Sequence, residues 1–280
     1  MGSVPRVNFD LPARPSAPRM SPSWEWVRSS DHETLSRAAA DRIAAEVRRK
    51  PDALICLAAG ASTRRTYELM VASARGEPAL YAQARWIKLD EWGGLAADDP
   101  ATCETFLRDA LLDPLAVPPA RYCGWNGRPA NVNAECDRIA AWLAQHGPID
   151  LQILGLGANG HLGFNEPGTA PDTGPHVAQL SPTSLSHAML TRARAPVAFG
   201  LTLGLGDILR SHRVFLLVSG AHKSGQLQRL ARGELSREFP ASLLHRHTAV
   251  TVFCDDAAAA QLSPPDSATA ILPRPDQRKS

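Results

Sequence analysis

The chain has 280 residues, enough for one large α/β domain or two small ones. Its 30 Lys and Arg residues nearly balance its 28 Asp and Glu residues, which argues against a protein that coats nucleic acid or lies on a membrane surface. The five cysteines are scattered and form no CxxC pair, so buried thiols in a reducing compartment are favoured over disulfides or a zinc site. No apolar run reaches the ~18 residues of a membrane span, and the Pro-rich N-terminus lacks a hydrophobic signal core. We therefore predict a cytoplasmic enzyme or binding protein with no nucleic-acid or membrane partner.

The pattern along the chain predicts a single α/β domain at residues 24–261, between loose Pro- and Ser-rich tails at 1–23 and 262–280. A capping box of Ser30 and Glu33 begins the first predicted helix, in which apolar residues from Leu35 to Val47 recur at helical spacing. The remaining elements are strands at 53–58, 84–90, 150–156, 213–220 and 248–254, and helices at 64–74, 101–112, from Asn133 to about 146, and at 221–232. Apolar strands that alternate with helices indicate a mostly parallel sheet covered on both faces.

Three chemistry-bearing segments follow predicted strands. They are AAGAST after 53–58, KLDEW after 84–90 and GLGANGHLGFNEPG after 150–156. Ligands of open α/β sheets bind beyond the carboxyl ends of the strands. The three segments together therefore predict one site at that edge of the sheet.

The AAGAST turn has the small residues and the helix start of an anion site. Gly60 and Ala61 offer backbone N–H groups, and Ser62 and Thr63 add hydroxyl donors. The segment is neither a Walker loop nor a GxGxxG fingerprint, so it indicates a phosphate on a small molecule rather than a nucleotide. The alternative is a tight turn with no ligand.

The KLDEW segment places two acids at a strand end. Side-chain alternation sends Asp90 and Glu91 to opposite sides, so one can face the site as a base while the other is structural. The alternative role for such an acid is to cap a neighbouring helix.

His161 lies in a glycine-rich loop with Asn159 and Glu166 close by. A histidine oriented by a carboxylate is a proton-transfer unit. No second His or Cys shares the loop at ligand spacing, so a metal site is disfavoured.

The segments LAAGASTRRTYELM, WIKLDEWGGL, ATCETFL and GLGANGHLGFNEPG resemble the signatures of glucosamine-6-phosphate deaminases over roughly residues 30–255. The segments GLGANGHLGFNEPG, TLGLGDIL and PASLL resemble the galactosamine-6-phosphate isomerase subgroup in particular. This resemblance implies a Rossmann-like sheet with a small lid region, and conversion of an amino-sugar phosphate to a ketose phosphate and ammonia without a cofactor. Related 6-phosphogluconolactonases share the fold and a Gly-His loop, but there the histidine is not followed by Asn-Glu-Pro.

The resemblance also implies the roles of individual residues. Asp90 would move a proton between C2 and C1, His161 would open the sugar ring, and Glu166 would orient His161. The substrate phosphate would bind at Gly60, Ala61, Ser62 and Thr63 and to Lys223 in SGAHKSG.

Three departures from the deaminase pattern stand out. Asn159 stands where the deaminases usually have an aspartate, as an asparagine does in the galactosamine-type subgroup. His161 then has one carboxylate neighbour rather than two. The alternative is that Asn159 merely closes the glycine turn. A phosphate-binding arginine is missing from TSLSHAML, for which His187, Arg192 or Arg194 are the available substitutes. The allosteric site of bacterial deaminases uses a serine, an arginine and a lysine after the Asn-Glu-Pro. The aligned positions of this chain are Thr169, His176 and Ala178.

The sequence leaves two alternatives to a deaminase. A lactonase would use His161 to activate water and would need no base at C2, so Asp90 argues against it. The departures at Asn159 and at the missing arginine leave a non-catalytic sugar-phosphate sensor open. Transcription regulators with such effector domains carry a DNA-binding helix-turn-helix in front, for which the Pro-rich first 23 residues leave little room. The sequence is compatible with either hexosamine epimer as substrate and with a homo-oligomer.

Overall fold

A computed structural model describes residues 24–262 of the chain. The tails predicted at 1–23 and 262–280 lie outside the described residues, apart from Leu262. Across residues 24–262, no helix combines the length and the apolar character needed to cross a membrane.

The described part of the chain folds around a seven-stranded parallel sheet. Its order is β1-β10-β9-β6-β2-β3-β5, and every neighbouring pair runs parallel. The strands of this sheet are β1 (Glu25–Ser29), β2 (Leu54–Leu57), β3 (Arg85–Lys88), β5 (Tyr122–Cys123), β6 (Leu151–Gly155), β9 (Arg213–Val218) and β10 (Val250–Asp255). The predicted α/β fold with a mostly parallel sheet is confirmed.

Helices cover both faces of this sheet. They are α1 (His32–Arg49), α2 (Ala61–Gly76), α3 (Cys103–Leu107), α4 (Val132–His146), α5 (Pro182–Leu185), α6 (Leu205–Leu209) and α7 (Ser224–Ala231), and α3 continues into a π-helical turn at Arg108–Leu112. The core is accordingly divided in two. In β2, Ile55 and Leu57 pack on the side of α1 and α2, whereas Leu54 and Cys56 pack on the side of α4 and α7. Both sides of the strand are buried, which explains its unbroken apolar sequence.

Two predicted helix caps are wrong by one or two residues. Asp31, not Ser30, caps α1, because its carboxylate accepts a hydrogen bond from Thr34 N at 2.8 Å while Glu33 binds Arg65 instead of closing a capping box. Asn131, not Asn133, caps α4 by accepting hydrogen bonds from the N–H groups at 133 and 134.

A smaller antiparallel sheet extends from the carboxyl end of β3. It consists of β4 (Asp90–Gly93), β8 (Phe199–Thr202) and β7 (His176–Ala178), in the order β4-β8-β7. The strand predicted at 84–90 is therefore divided at Leu89, and Asp90 begins a strand paired with Thr202 instead of ending one. The lid region that the resemblance implies stays a prediction, for which this sheet and the chain between β6 and β8 are the candidates. The five cysteines are free and buried, as predicted.

Candidate active site

The predicted site residues follow four neighbouring parallel strands. Lys223 follows β9, the loop 156–166 follows β6, the turn 60–63 follows β2, and Asp90 follows β3. These strands lie side by side in the order β9-β6-β2-β3. Because parallel strands end at the same edge of a sheet, all of these segments lie at one edge.

Asp90 is a buried acid with one unpartnered carboxyl oxygen in the described part of the chain. It is 7% exposed, and its Oδ1 atom has no hydrogen-bond partner within residues 24–262. Burial, reinforced by the neighbouring Glu91 carboxylate, raises the pKa of Asp90 to about 7. A carboxylate with this proton affinity suits a general base that works near neutral pH.

Glu91 has the structural role that the sequence left open for one of the two acids. Its Oε1 atom accepts hydrogen bonds from Trp92 N at 2.8 Å and Cys103 N at 2.9 Å, and its Oε2 atom accepts one from Glu104 N at 2.9 Å. Glu91 thus satisfies the free N–H groups at the start of α3. The predicted division of labour between Asp90 and Glu91 agrees with these contacts.

Lys88 is a wholly buried cation that fixes this acidic end of β3. Its Nζ atom donates to Glu91 at 2.6 Å, to Glu104 at 2.7 Å and to the Trp125 carbonyl at 3.2 Å. Burial opposes its charge, but the two carboxylates outweigh burial and raise the pKa of Lys88. The paired charges hold the start of β4, and with it the backbone of Asp90, in one position.

Glycines around His161 make room for its ring. A Cβ atom on Gly157 would overlap the imidazole of His161. Gly160 and Gly163 have φ angles of +87° and +58°, a left-handed conformation that glycine adopts most easily. The Nδ1 atom of His161 lies 3.7 Å from Glu166 Oε2 and 3.3 Å from Ser184 Oγ.

Glu166 is held ionised by several donors. Its Oε2 atom accepts from Asn159 Nδ2 at 2.8 Å, and its Oε1 atom accepts from Ser181 N at 3.2 Å and from the Ser184 hydroxyl. Burial alone would raise the pKa of this carboxyl, but hydrogen bonds from His161, Ser184 and Asn159 lower it to about 2. Glu166 is therefore a permanent anion beside His161 at physiological pH.

Asn159 organises Glu166 through its amide. Besides its bond to Glu166, the amide donates to Ser181 Oγ at 3.2 Å and accepts from His161 N at 3.1 Å. Asn159 thus does close the glycine turn, through its contact with His161 N and not through a positive φ, since Ala116 is the one non-glycine residue with positive φ in the described part of the chain.

The turn at 60–63 has the features of an anion site, with one correction. Gly60 is the N-cap of the 16-residue helix α2, and the space beside its Cα is open. The first N–H groups of a helix have no intrahelical acceptor, so those of Ala61 and Ser62 are suited to an anion. Contrary to expectation, the Thr63 hydroxyl donates within the turn, to the carbonyls of Ala58 at 3.0 Å and Gly60 at 3.1 Å. Ser62 is then the hydroxyl that remains for a ligand.

Lys223 supplies a cation at the same edge. Its side chain is half-buried and forms no ion pair within residues 24–262, and burial lowers its pKa. Desolvating an ammonium group without a counter-ion is costly, so an anionic ligand would stabilise Lys223.

Of the three substitutes for the missing arginine, His187 is the best placed. Arg194 is exposed and pairs with Asp98 at 3.3 Å, and Arg192 is exposed on the surface. His187 is half-buried, with its ring centroid 5.8 Å from that of Trp92. Burial, followed by its charge interactions with His161 and Lys223, lowers the pKa of His187.

Sequence reasoning missed two serines that contact the histidine–carboxylate pair. Ser181 is the N-cap of α5, and Ser184 lies in its first turn. The Ser-Pro-Thr-Ser segment is a recognisable helix start, with a capping residue before proline at the first helical position. That signal predicts the turn but does not show that it contacts Glu166.

Comparison with known proteins agrees with this geometry. A sequence profile described as glucosamine-6-phosphate isomerases/6-phosphogluconolactonase matches residues 30–253. A candidate deaminase named AgaI, from Escherichia coli K12, is 38% identical over 218 residues, which cover 78% of this chain and 86% of that protein. A glucosamine-6-phosphate deaminase from Halalkalibacterium halodurans is 35% identical over 234 residues, with 83% and 95% covered.

Solved structures give the same grouping. A monomeric glucosamine-6-phosphate deaminase superposes with a TM-score of 0.81 at 34% identity, covering 84% of this chain and 99% of that one. The 6-phosphogluconolactonase of Trypanosoma brucei superposes with a TM-score of 0.70 at 19% identity, covering 86% of this chain and 100% of that one, and shares the fold alone. The chain belongs to the glucosamine-6-phosphate isomerase/6-phosphogluconolactonase family.

Proposed function

We propose that this protein is an aldose–ketose isomerase that deaminates a hexosamine 6-phosphate, giving a ketose 6-phosphate and ammonia. The observation that carries the proposal is Asp90, a buried carboxyl with an unpartnered oxygen and a pKa raised to about 7. A base of this kind is required to take a proton from C2 of an open-chain amino sugar, whereas hydrolysis of a lactone does not require one. The similarity to deaminases at 34–38% identity supports the same activity.

The substrate phosphate binds where the turn 60–63 and Lys223 offer donors and positive charge. The N–H groups at the start of α2 and the Ser62 hydroxyl donate to phosphate oxygens, and Lys223 supplies the opposite charge. Since the phosphate takes no part in the chemistry, this interaction fixes the sugar so that C1 and C2 lie between Asp90 and His161.

His161 and Glu166 carry out ring opening. The bond between C1 and the ring oxygen breaks as a proton moves from O1 to the ring oxygen, which leaves an aldehyde at C1. His161 transfers this proton, and the adjacent Glu166 anion stabilises the imidazolium that forms on the way.

Asp90 then removes the proton from C2 as the electron pair of the C1 carbonyl moves to O1. O1 takes a proton from the substrate's ammonium group, which gives an enolamine across C1 and C2. Return of a proton to C1 produces an iminium ion at C2, and water hydrolyses it to the ketone with release of ammonia. No cofactor enters any of these steps. We propose galactosamine 6-phosphate as the substrate, with glucosamine 6-phosphate as the second choice, because the motifs around His161 and PASLL resemble the galactosamine-type subgroup.

Steady-state assays of the purified protein test this function against its alternatives. Ammonia and ketose 6-phosphate should form in equal amounts from one or both hexosamine 6-phosphates, and the dephosphorylated amino sugar should be a poor substrate. Hydrolysis of 6-phosphogluconolactone without ammonia release from either amino sugar would instead identify a lactonase. Saturable binding of a hexosamine 6-phosphate without turnover would identify a sensor.

A further inference from the structure

Ser184 connects the two members of the proposed proton-transfer unit. It is 1% exposed, its hydroxyl donates to Glu166 Oε1, and its Oγ atom lies 3.3 Å from His161 Nδ1. Ser181 fixes Ser184 in the first turn of α5: its Oγ atom accepts a hydrogen bond from Ser184 N at 3.3 Å and donates one to Ser184 Oγ at 3.4 Å. Ser184 therefore lies at the rear of the imidazole, between it and the carboxylate.

The hydrogen atoms in this cluster can be assigned from its chemistry. Glu166, with its pKa lowered to about 2, is ionised and can only accept hydrogen bonds. A serine hydroxyl has one hydrogen, and that of Ser184 is directed to Glu166. Toward His161, Ser184 can then offer only a lone pair.

Both groups that face His161 Nδ1 are consequently acceptors, Ser184 Oγ at 3.3 Å and Glu166 Oε2 at 3.7 Å. A nitrogen facing two acceptors is stabilised when it carries a hydrogen, and in a neutral imidazole the other nitrogen is then the base. His161 Nε2 makes no hydrogen bond within the described part of the chain.

We propose that Ser184 is a positioning residue that, together with Glu166, holds neutral His161 as the Nδ1–H tautomer and leaves Nε2 as the basic nitrogen for the substrate. This inference deepens the proposed function and rests on it for its kinetic consequence. Ring opening then begins with proton removal: the O1–H bond breaks as Nε2–H forms. The C1–O5 bond next breaks with its electron pair going to O5, which takes the proton from Nε2 as C1=O1 forms.

The tautomer can be read directly by NMR of ¹⁵N-histidine-labelled protein without substrate. The His161 signal is identified by its loss in His161→Asn. At a pH above the range in which the imidazolium form is populated, this signal should show the Nδ1–H pattern. Ser184→Ala should shift the tautomer equilibrium toward Nε2–H, and Ser184→Thr, which keeps the hydroxyl, should restore the wild-type pattern. Ser186→Ala is the matched control, because Ser186 is exposed in the same segment and its hydroxyl donates to the Thr183 carbonyl, away from His161 and Glu166.

The kinetic consequence is a loss of kcat/KM in Ser184→Ala of about 10- to 100-fold, the range that follows from one hydrogen bond to a charged group. Ser184→Thr should recover most of it, and Ser186→Ala should match wild type. The inference would be overturned by an Nε2–H signal in the wild type, or by an unchanged tautomer in folded Ser184→Ala. If Ser184→Ala does not fold, the tautomer of the wild-type protein alone decides the test. Since the NMR measurement needs no turnover, absence of ammonia release would reject the proposed function without affecting the tautomer result.

Discussion

Replacing Asp90 by Asn should remove activity and increase stability at the same time. In the native protein burial favours the protonated acid, so Asp90 keeps its proton up to a pKa of about 7, whereas the unfolded chain releases it near 3.8. Above pH 3.8 the unfolded state therefore holds fewer protons, and native stability falls as pH rises until both states are ionised above pH 7. Asparagine has a similar size but never ionises, so it avoids this loss.

The magnitude follows from the shift in proton affinity. A change from 3.8 to about 7 corresponds to about 4 kcal/mol, at about 1.4 kcal/mol for each tenfold change in proton affinity. Asp90→Asn should thus exceed wild type in unfolding free energy by about 4 kcal/mol at pH 8, about 2 kcal/mol at pH 5, and little below pH 3.8. Turnover should fall by about 10²–10⁴-fold, as expected for loss of a general base.

Denaturant unfolding at several pH values, with ammonia release measured in parallel, checks both effects. Wild-type kcat/KM should rise with pH through about 7 as Asp90 ionises. Asp98→Asn is the control, because Asp98 is exposed and forms a surface ion pair with Arg194. A stability difference between Asp90→Asn and wild type that is absent, or equal at pH 5 and pH 8, would refute the placement of an ionisable base in this buried position.

Three further predictions concern the surrounding groups. Asn159→Asp removes the donor to Glu166 Oε2 and sets a second carboxylate beside it, so the pKa of the Glu166 carboxyl should rise from about 2. A ¹³C NMR titration in which the Glu166 carboxyl still ionises near 2 in the variant would contradict this. Lys223→Ala, and to a smaller extent Ser62→Ala, should raise KM with kcat near wild type, because both groups are assigned to the non-reacting phosphate. Arg192 is exposed, so the control Arg192→Ala should change neither constant. A fall in kcat without a change in KM would reject the assignment. Adding an N-acetylhexosamine 6-phosphate should leave the substrate saturation curves unchanged. Thr169 already donates to the Glu166 carbonyl, His176 Nδ1 bonds the Gly174 carbonyl, and Ala178 is apolar. A leftward shift of the curves would refute this prediction.

Local sequence signals were sufficient for the parallel sheet and for the edge that carries the site. Unbroken apolar runs such as that of β2 predicted buried strands, and three polar or glycine-rich segments marked their carboxyl ends. Alternation along KLDEW also separated Asp90 from Glu91, because side-chain direction in an extended chain is a local property.

Features set by contacts between distant segments were missed. β1 and β5 gain their strand character by pairing at the two edges of the main sheet, and β4 exists because Asp90–Gly93 pairs with Phe199–Thr202, far away in sequence. The orientation of the Asn159 amide and the approach of Ser184 to Glu166 depend in the same way on how the chain after β6 folds back. Spacing in the sequence carries no information about such contacts.

The central claim is that this protein moves a proton from C2 to C1 of an amino-sugar phosphate with Asp90 as the base. Turnover of galactosamine 6-phosphate or glucosamine 6-phosphate in D₂O, followed by mass spectrometry and NMR of the product, tests it most directly. We expect one ammonia per ketose 6-phosphate, deuterium at C1 of the product in wild type, and no exchange above background in Asp90→Asn. Deuterium uptake that persists at the wild-type rate in Asp90→Asn, or the absence of ammonia from both substrates, would contradict the claim.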